Sequence, residues 1–257
     1  MSYELRSTGR TVRSGRKWRT SFLTTFVILS LHFFVSTPLS AQGDPASEWN
    51  LLYYKIRDRY IPKEEALTRL GVLEIQLRDD YSKQREGGRY EGLAFPLEGY
   101  TFRSIGGKDG SGYQPLGYDF FDGNDHKGHP GHDIFIIDKN QDSLDDKTGK
   151  PVNVISVSPG IVVSTNTLWE PSSLIRGGNY LWVFDPATKR YFYYAHLDKV
   201  FVTVGQVISK GNLLGTVGRT GLNAYPKRSP THFHFTVHQS ADGYPRPINV
   251  YKELANK

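Results

Sequence analysis

Between Asp44 and about Glu86, apolar residues recur at three- and four-residue spacings: Trp49, Leu52, Tyr53, Ile56 and Tyr60, then Ala66, Leu67, Leu70, Leu73, Leu77 and Tyr81. That period marks one face of an amphipathic helix. Pro62 divides the pattern in two and suits a first helical turn, where its missing N–H would have no partner; Glu64 and Glu65 suit the positive end of the helix dipole. The spacing predicts an α-helical hairpin within 44–90, ended by Glu86-Gly87-Gly88. From Phe95 onward the pattern changes to short β-branched and aromatic runs divided by Gly, Pro, Asn and Asp. Strands are expected as a pair within 152–163 about Ser158-Pro159-Gly160, as a hairpin of 180–184 with 191–195, and around 200–204, 213–217 and 232–238. No crossover helix separates them. The fold class expected is therefore mainly β, an antiparallel sheet domain over 95–257 preceded by the helical hairpin, rather than a doubly wound α/β fold.

Ahead of the helices the chain has a different texture. Arg6, Arg10, Arg13, Arg16, Lys17 and Arg19 stand against Glu4 alone, and no charged residue occurs from Ser21 to Gly43. A basic region, an apolar run, Pro38 and small residues at Ser40 and Ala41 describe a secretory signal peptide over 1–41. An uncleaved signal anchor is the alternative, because the neutral run approaches the length of a bilayer span. Either reading exports the remainder, to the periplasm, the cell surface or the medium, and limits membrane contact to this segment.

This segment also changes the meaning of the charge. The chain carries a formal +6, of which residues 1–41 hold +5, so the exported part is nearly neutral at +1. A nucleic-acid binder would keep a basic stripe on its folded domain, and that class is set aside. Cysteine is absent. Disulfides, thiolate metal sites and thiol nucleophiles are thereby excluded.

Seven of the eight histidines fall between 126 and 238. His129-Pro130-Gly131-His132-Asp133 can turn an imidazole and a carboxylate toward one point if Gly131 bends the backbone. In Thr231-His232-Phe233-His234-Phe235, residues two apart share a strand face, so His232 and His234 project together. Tyr194-Ala195-His196-Leu197 ends a predicted strand. Catalytic zinc takes three ligands from imidazole and carboxylate and leaves a position open, and this chain offers such a set without thiolates. HExxH, G-x-S-x-G and P-loop motifs are absent.

With H-x-G-x-D at 129–133, H-x-H at 232–234 and aromatic-Ala-His-Leu between them, the sequence resembles the lysostaphin/LytM-type zinc metallopeptidases, secreted endopeptidases that cleave peptidoglycan peptides. The resemblance runs from about Phe95 to His238 and includes Gly160-Ile161-Val162-Val163, Val204-Gly205-Gln206-Val207 and Gly215-x-x-Gly218-x-Thr220-Gly221. It implies His129, Asp133 and His234 as ligands of one Zn²⁺, and His196 and His232 as catalytic histidines beside it. A substrate groove holding peptidoglycan peptides is implied as well. The alternative is a catalytically silent envelope protein of the same fold that binds peptidoglycan or activates a hydrolase. The resemblance does not reach the helices, for which docking of a protein partner is the reading.

Two loops depart from the family pattern, Trp169 to Gly177 and Gly221 to His232, and loops around a groove select substrates. Within the second, Lys227 and Arg228 are candidates to meet stem-peptide carboxylates. His132 is expected to point away from the site and His126 to lack a carboxylate partner, while His238 belongs to the rim or core. Asp138-x-Asn140-x-Asp142 begins like a Ca²⁺ loop, although Ser143 and Gly149 replace the Gly and Glu that such loops need. A solvated acidic turn is the competing reading.

Overall fold

The Asp44 carboxylate accepts a hydrogen bond from the Ser47 amide at 3.0 Å, satisfying one of the N–H groups a helix start leaves open. Pro45 follows in the first turn. Helix α1 spans Pro45–Arg57 and α2 spans Lys63–Gln84, the hairpin that the spacing predicts. The structure, a computed structural model, describes residues 43–84 and 91–256. The signal segment expected over 1–41 and the Glu86-Gly87-Gly88 terminator lie outside the described residues. Among the described residues no helix is long and apolar enough to cross a membrane.

The strands are β1 (His132–Phe135), β2 (Leu144–Asp145), β3 (Lys150–Pro151), β4 (Asn153–Ile155), β5 (Gly160–Asn166), β6 (Asn179–Asp185), β7 (Arg190–Val200), β8 (Val207–Ile208), β9 (Leu213–Val217), β10 (His232–Ala241) and β11 (Tyr244–Ile248), followed by the short helix α3 (Tyr251–Ala255). All but the β2–β3 pair belong to one sheet with the order β1-β10-β7-β6-β5-β8. β11 also pairs with β10, and β4 joins through β9 to β7. Every pairing is antiparallel, and the mainly β class is the one observed.

Some local expectations are corrected. Residues 201–204 form no strand; β7 continues through the expected boundary to Val200. The two strands within 152–163 do not pair with each other, β4 joining β9 and β5 joining β6 and β8. β11 was not foreseen because Pro245 and Pro247 argue against a strand; as an edge strand it hydrogen-bonds on one side only, where proline is tolerated.

Alternation along the strands gives the sheet two unlike faces. Phe233, Phe235 and Val237 of β10 enter one core with Leu181, Val183, Phe192, Tyr194 and Leu254. Trp182, Phe184 and Tyr191 enter a second core, closed by Trp49, Leu52, Leu70 and Leu77 of the helices. Trp49 is fully buried, stacked between Tyr53 and Tyr191 with ring centroids 5.4 and 5.5 Å away. Buried Glu74 of α2 accepts hydrogen bonds from Ser240 on β10 and Tyr191 on β7, so the helix pair is tied to the sheet by polar as well as apolar contacts.

Candidate active site

Asp133 on β1 lies directly opposite His234 on β10, and Phe135 opposite His232. Their shared register places one carboxylate among three imidazoles. Asp133 Oδ1 is 2.9 Å from His234 Nδ1, 3.2 Å from His129 Nε2 and 3.9 Å from His232 Nε2. His129 Nδ1 donates to the Gly112 carbonyl at 2.8 Å. Since a carbonyl only accepts, the proton is fixed on Nδ1, and the Nε2 lone pair faces the carboxylate. Two electron pairs so placed require a proton or a cation between them.

The donor chemistry fits a metal. Among the described residues His129, Asp133 and His234 form the one group able to hold an ion, each with a ligand atom within 4.8 Å of the others. Tetrahedral zinc with bonds of ~2.0–2.2 Å would set its ligand atoms about 3.4 Å apart, close to the 2.9 and 3.2 Å contacts at Asp133. Thr236 Oγ1, 2.9 Å from His234 Nε2, can take the proton there and leave Nδ1 for the ion. Burial pushes the Asp133 pKa up, but the adjoining His129 and His234 imidazoles outweigh it and hold the group far below the usual carboxylate range. Burial also opposes protonation of His129, yet Asp133 prevails and its pKa is raised.

His196 reaches this group by a break in strand alternation. Between Leu181–Tyr194 and Asn179–Leu197 the β6–β7 register shifts by one residue, a β-bulge, and His196 adopts φ 61°. Without that break it would share the opposite face with Tyr194; instead its ring lies 4.9 Å from that of His232 and 5.8 Å from that of His234. A left-handed residue other than glycine is uncommon and is found where side chains are re-aimed. His196 Nδ1 donates to the Thr220 carbonyl and His232 Nδ1 to the Pro230 carbonyl, both at 2.8 Å, so each keeps an Nε2 lone pair. Burial, with repulsion from His232 and His234, lowers the His196 pKa to about 3, and its imidazole is neutral at neutral pH.

Residues 140–247, which carry His196, His232 and His234, match the model of peptidase family M23. Over this stretch the chain is similar to peptidase family M23. The match begins after His129 and Asp133, which the pairing of β1 with β10 brings beside His232 and His234. The resemblance to lysostaphin/LytM-type peptidases is thereby borne out. Similar solved structures include a zinc containing peptidase from Vibrio cholerae (23% identity, 61% of this chain and 39% of that one, TM-score 0.39). The catalytic domain of lysostaphin from Staphylococcus simulans is also similar (24% identity, 53% and 83%, TM-score 0.35). A third is the lytM protein of Ruminococcus gnavus (18% identity, 85% and 91%, TM-score 0.44). The chain thus spans well under half of the Vibrio cholerae peptidase. No curated protein matches the chain.

Other expectations about the sheet domain are sharpened or corrected. The backbone bends at Gly131 as expected, and a left-handed residue precedes it at Gly128, φ 72°. Gly131 also permits close approach, since a Cβ there would lie 2.6 Å from the Phe235 carbonyl oxygen and would crowd Thr236 Oγ1. His132 points to the other face, between Tyr113 and Tyr251. His238 is buried on the cleft face and bonds Tyr118 Oη at 2.8 Å. The calcium reading of Asp138, Asn140 and Asp142 is not supported. Asp138 accepts hydrogen bonds from the Asp142 and Ser143 amides and the Thr231 hydroxyl, Asn140 accepts from the Asp142 amide and Asp142 from the Leu144 amide. These oxygens organise a turn.

A cleft opens over the histidines, walled by Tyr53 and Arg57 of α1, Phe120, Asn124, His126 and Arg176. The two unusual loops meet beside it, the Trp169 and Tyr225 rings 5.4 Å apart. Lys227 and Arg228 are exposed and do not line it. Arg176 was missed in the sequence, where it sits in the Trp169–Gly177 loop without a motif; the only signal was that the loop itself departs from the family pattern.

Proposed function

We propose that the chain is an exported zinc metalloendopeptidase that hydrolyses amide bonds in peptidoglycan stem peptides or cross-links. The observation that carries the reading is the convergence of His129, Asp133 and His234 on one point with the Nε2 atoms of two further histidines beside it. His129, Asp133 and His234 would hold the ion. Zinc bound there supplies Lewis acidity, polarising an amide carbonyl and acidifying water. His196 and His232, each with Nδ1–H fixed on a backbone carbonyl, present Nε2 to the cleft, so this pair can accept a proton from water and return it to the leaving amine. The α1 wall and the two loops would align the peptide strand over these atoms and exclude solvent.

Zinc titration of the parent protein beside His129→Ala tests the reading, followed by mass spectrometry of fragments released from purified sacculi. One equivalent of zinc for the parent, little for the variant, and fragments cut at an amide are expected. A parent that takes up no metal and releases nothing would sink the enzyme reading and favour the silent binder.

A further inference from the structure

Two cations line the cleft, and they differ. Arg57 is engaged: its guanidinium pairs with Asp58 at 2.6 Å and donates to Tyr180 Oη at 3.0 Å. Arg176 has no ion-pair partner among the described residues. Its Nη1 donates to the His126 carbonyl at 2.6 Å, and its Nε and Nη2 make no hydrogen bond to the described residues. The backbone of Arg176 is anchored as well. Asp58, the C-cap of α1, accepts from Asn124 Nδ2 at 3.4 Å, and Asn124 Oδ1 accepts from the Arg176 amide at 3.5 Å. The helix end, the wall of the cleft and the loop are thus linked. Among the described residues the one carboxylate lining the cleft, Asp133, is already surrounded by His129, His232 and His234, so none of the described residues in the cleft neutralises Arg176.

We infer that Arg176 is the specificity-determining residue of this cleft, receiving a free carboxylate of the substrate peptide close to the scissile amide. The inference rests on the peptidase reading above. A planar guanidinium with two N–H groups left open matches a carboxylate as a bidentate partner, and such charge-assisted pairs are stronger and more directional than neutral ones. The cleft is therefore built for cross-links or stems that carry a carboxylate beside the cut, and not for uncharged glycine-rich bridges. The carboxylate can come from a peptide C-terminus or from the side arm of a diacid residue such as diaminopimelate.

The test is calorimetric binding of three synthetic stem peptides to the metal-free full chain: one with both carboxylates free, one amidated at the C-terminus and one amidated on the side arm. Amidation at the recognised position is expected to weaken binding roughly ten- to a hundredfold, the range for one charge-assisted pair, and which amide does so names the source. Arg176→Gln removes the discrimination, and Arg176→Lys restores part of it, keeping the charge without the fork. Equal binding of all three peptides to the parent protein, or binding of none, overturns the inference without reference to any variant. Cleavage is read separately with the zinc-loaded chain. Selective binding without hydrolysis defeats the peptidase reading alone, whereas hydrolysis of free and amidated peptides at equal rates defeats the role of Arg176 alone.

Discussion

The two faces of β10 are made by the same ten residues and have little else in common. Phe233, Phe235 and Val237 meet only hydrocarbon and aromatic rings. His232, His234, Thr236 and His238 meet a carboxylate, a hydroxyl, a tyrosine and an open cleft. Burial is nearly as complete on the second face: His232 is 6% and His238 1% exposed, against 0% for Phe233 and Phe235. What differs is how burial is compensated. On one side dispersion and the hydrophobic effect hold the strand; on the other, polar atoms other than His238 Nδ1 find specific partners, and lone pairs remain at the point where β1 and β10 meet.

That contrast predicts opposite phenotypes from neighbouring substitutions. His234→Ala should have the largest effect on function, abolishing metal uptake beyond the ~10–100-fold loss expected for an outer partner, while thermal unfolding of the metal-free protein changes little. A large fall in its melting temperature would show that the cleft face also carries the fold. Phe235→Ala, one position away, should cost about 3–5 kcal/mol in denaturant unfolding; a loss under ~1 kcal/mol would mean the core face collapses around the gap. Thr236→Val keeps the volume and removes the oxygen that can receive the His234 proton. Metal affinity should fall roughly tenfold to a hundredfold, read by competition with a chelator, and unchanged affinity would remove Thr236 from the account.

The alternation that makes β10 two-faced was legible in the sequence, and so was the helical stripe, because both depend on local period. The histidine and aspartate positions were legible as a motif, and the structure brings all five together. What could not be read was relational. The stripe of Trp49, Leu52 and Ile56 announces a buried face without naming what buries it. The strand at Tyr244–Ile248 was concealed by two prolines whose missing N–H groups matter only if the strand has neighbours on both sides. Asp138, Asn140 and Asp142 have a calcium-loop spacing, yet their oxygens are taken by amides of their own turn, a competition that sequence spacing does not express. Arg176 has meaning only beside Asn124 and His126, about 50 positions earlier.

The bulge at His196 sets a conflict between folding and catalysis within one residue. An L-amino acid in the left-handed region carries a backbone penalty of ~1–2 kcal/mol that glycine escapes, so selection for stability alone would place glycine at position 196. Stabilising substitutions gathered without regard to activity should therefore converge on this site and extinguish the proposed chemistry as they do so. A library sorted for heat resistance and then for cleavage would separate into two populations at this codon.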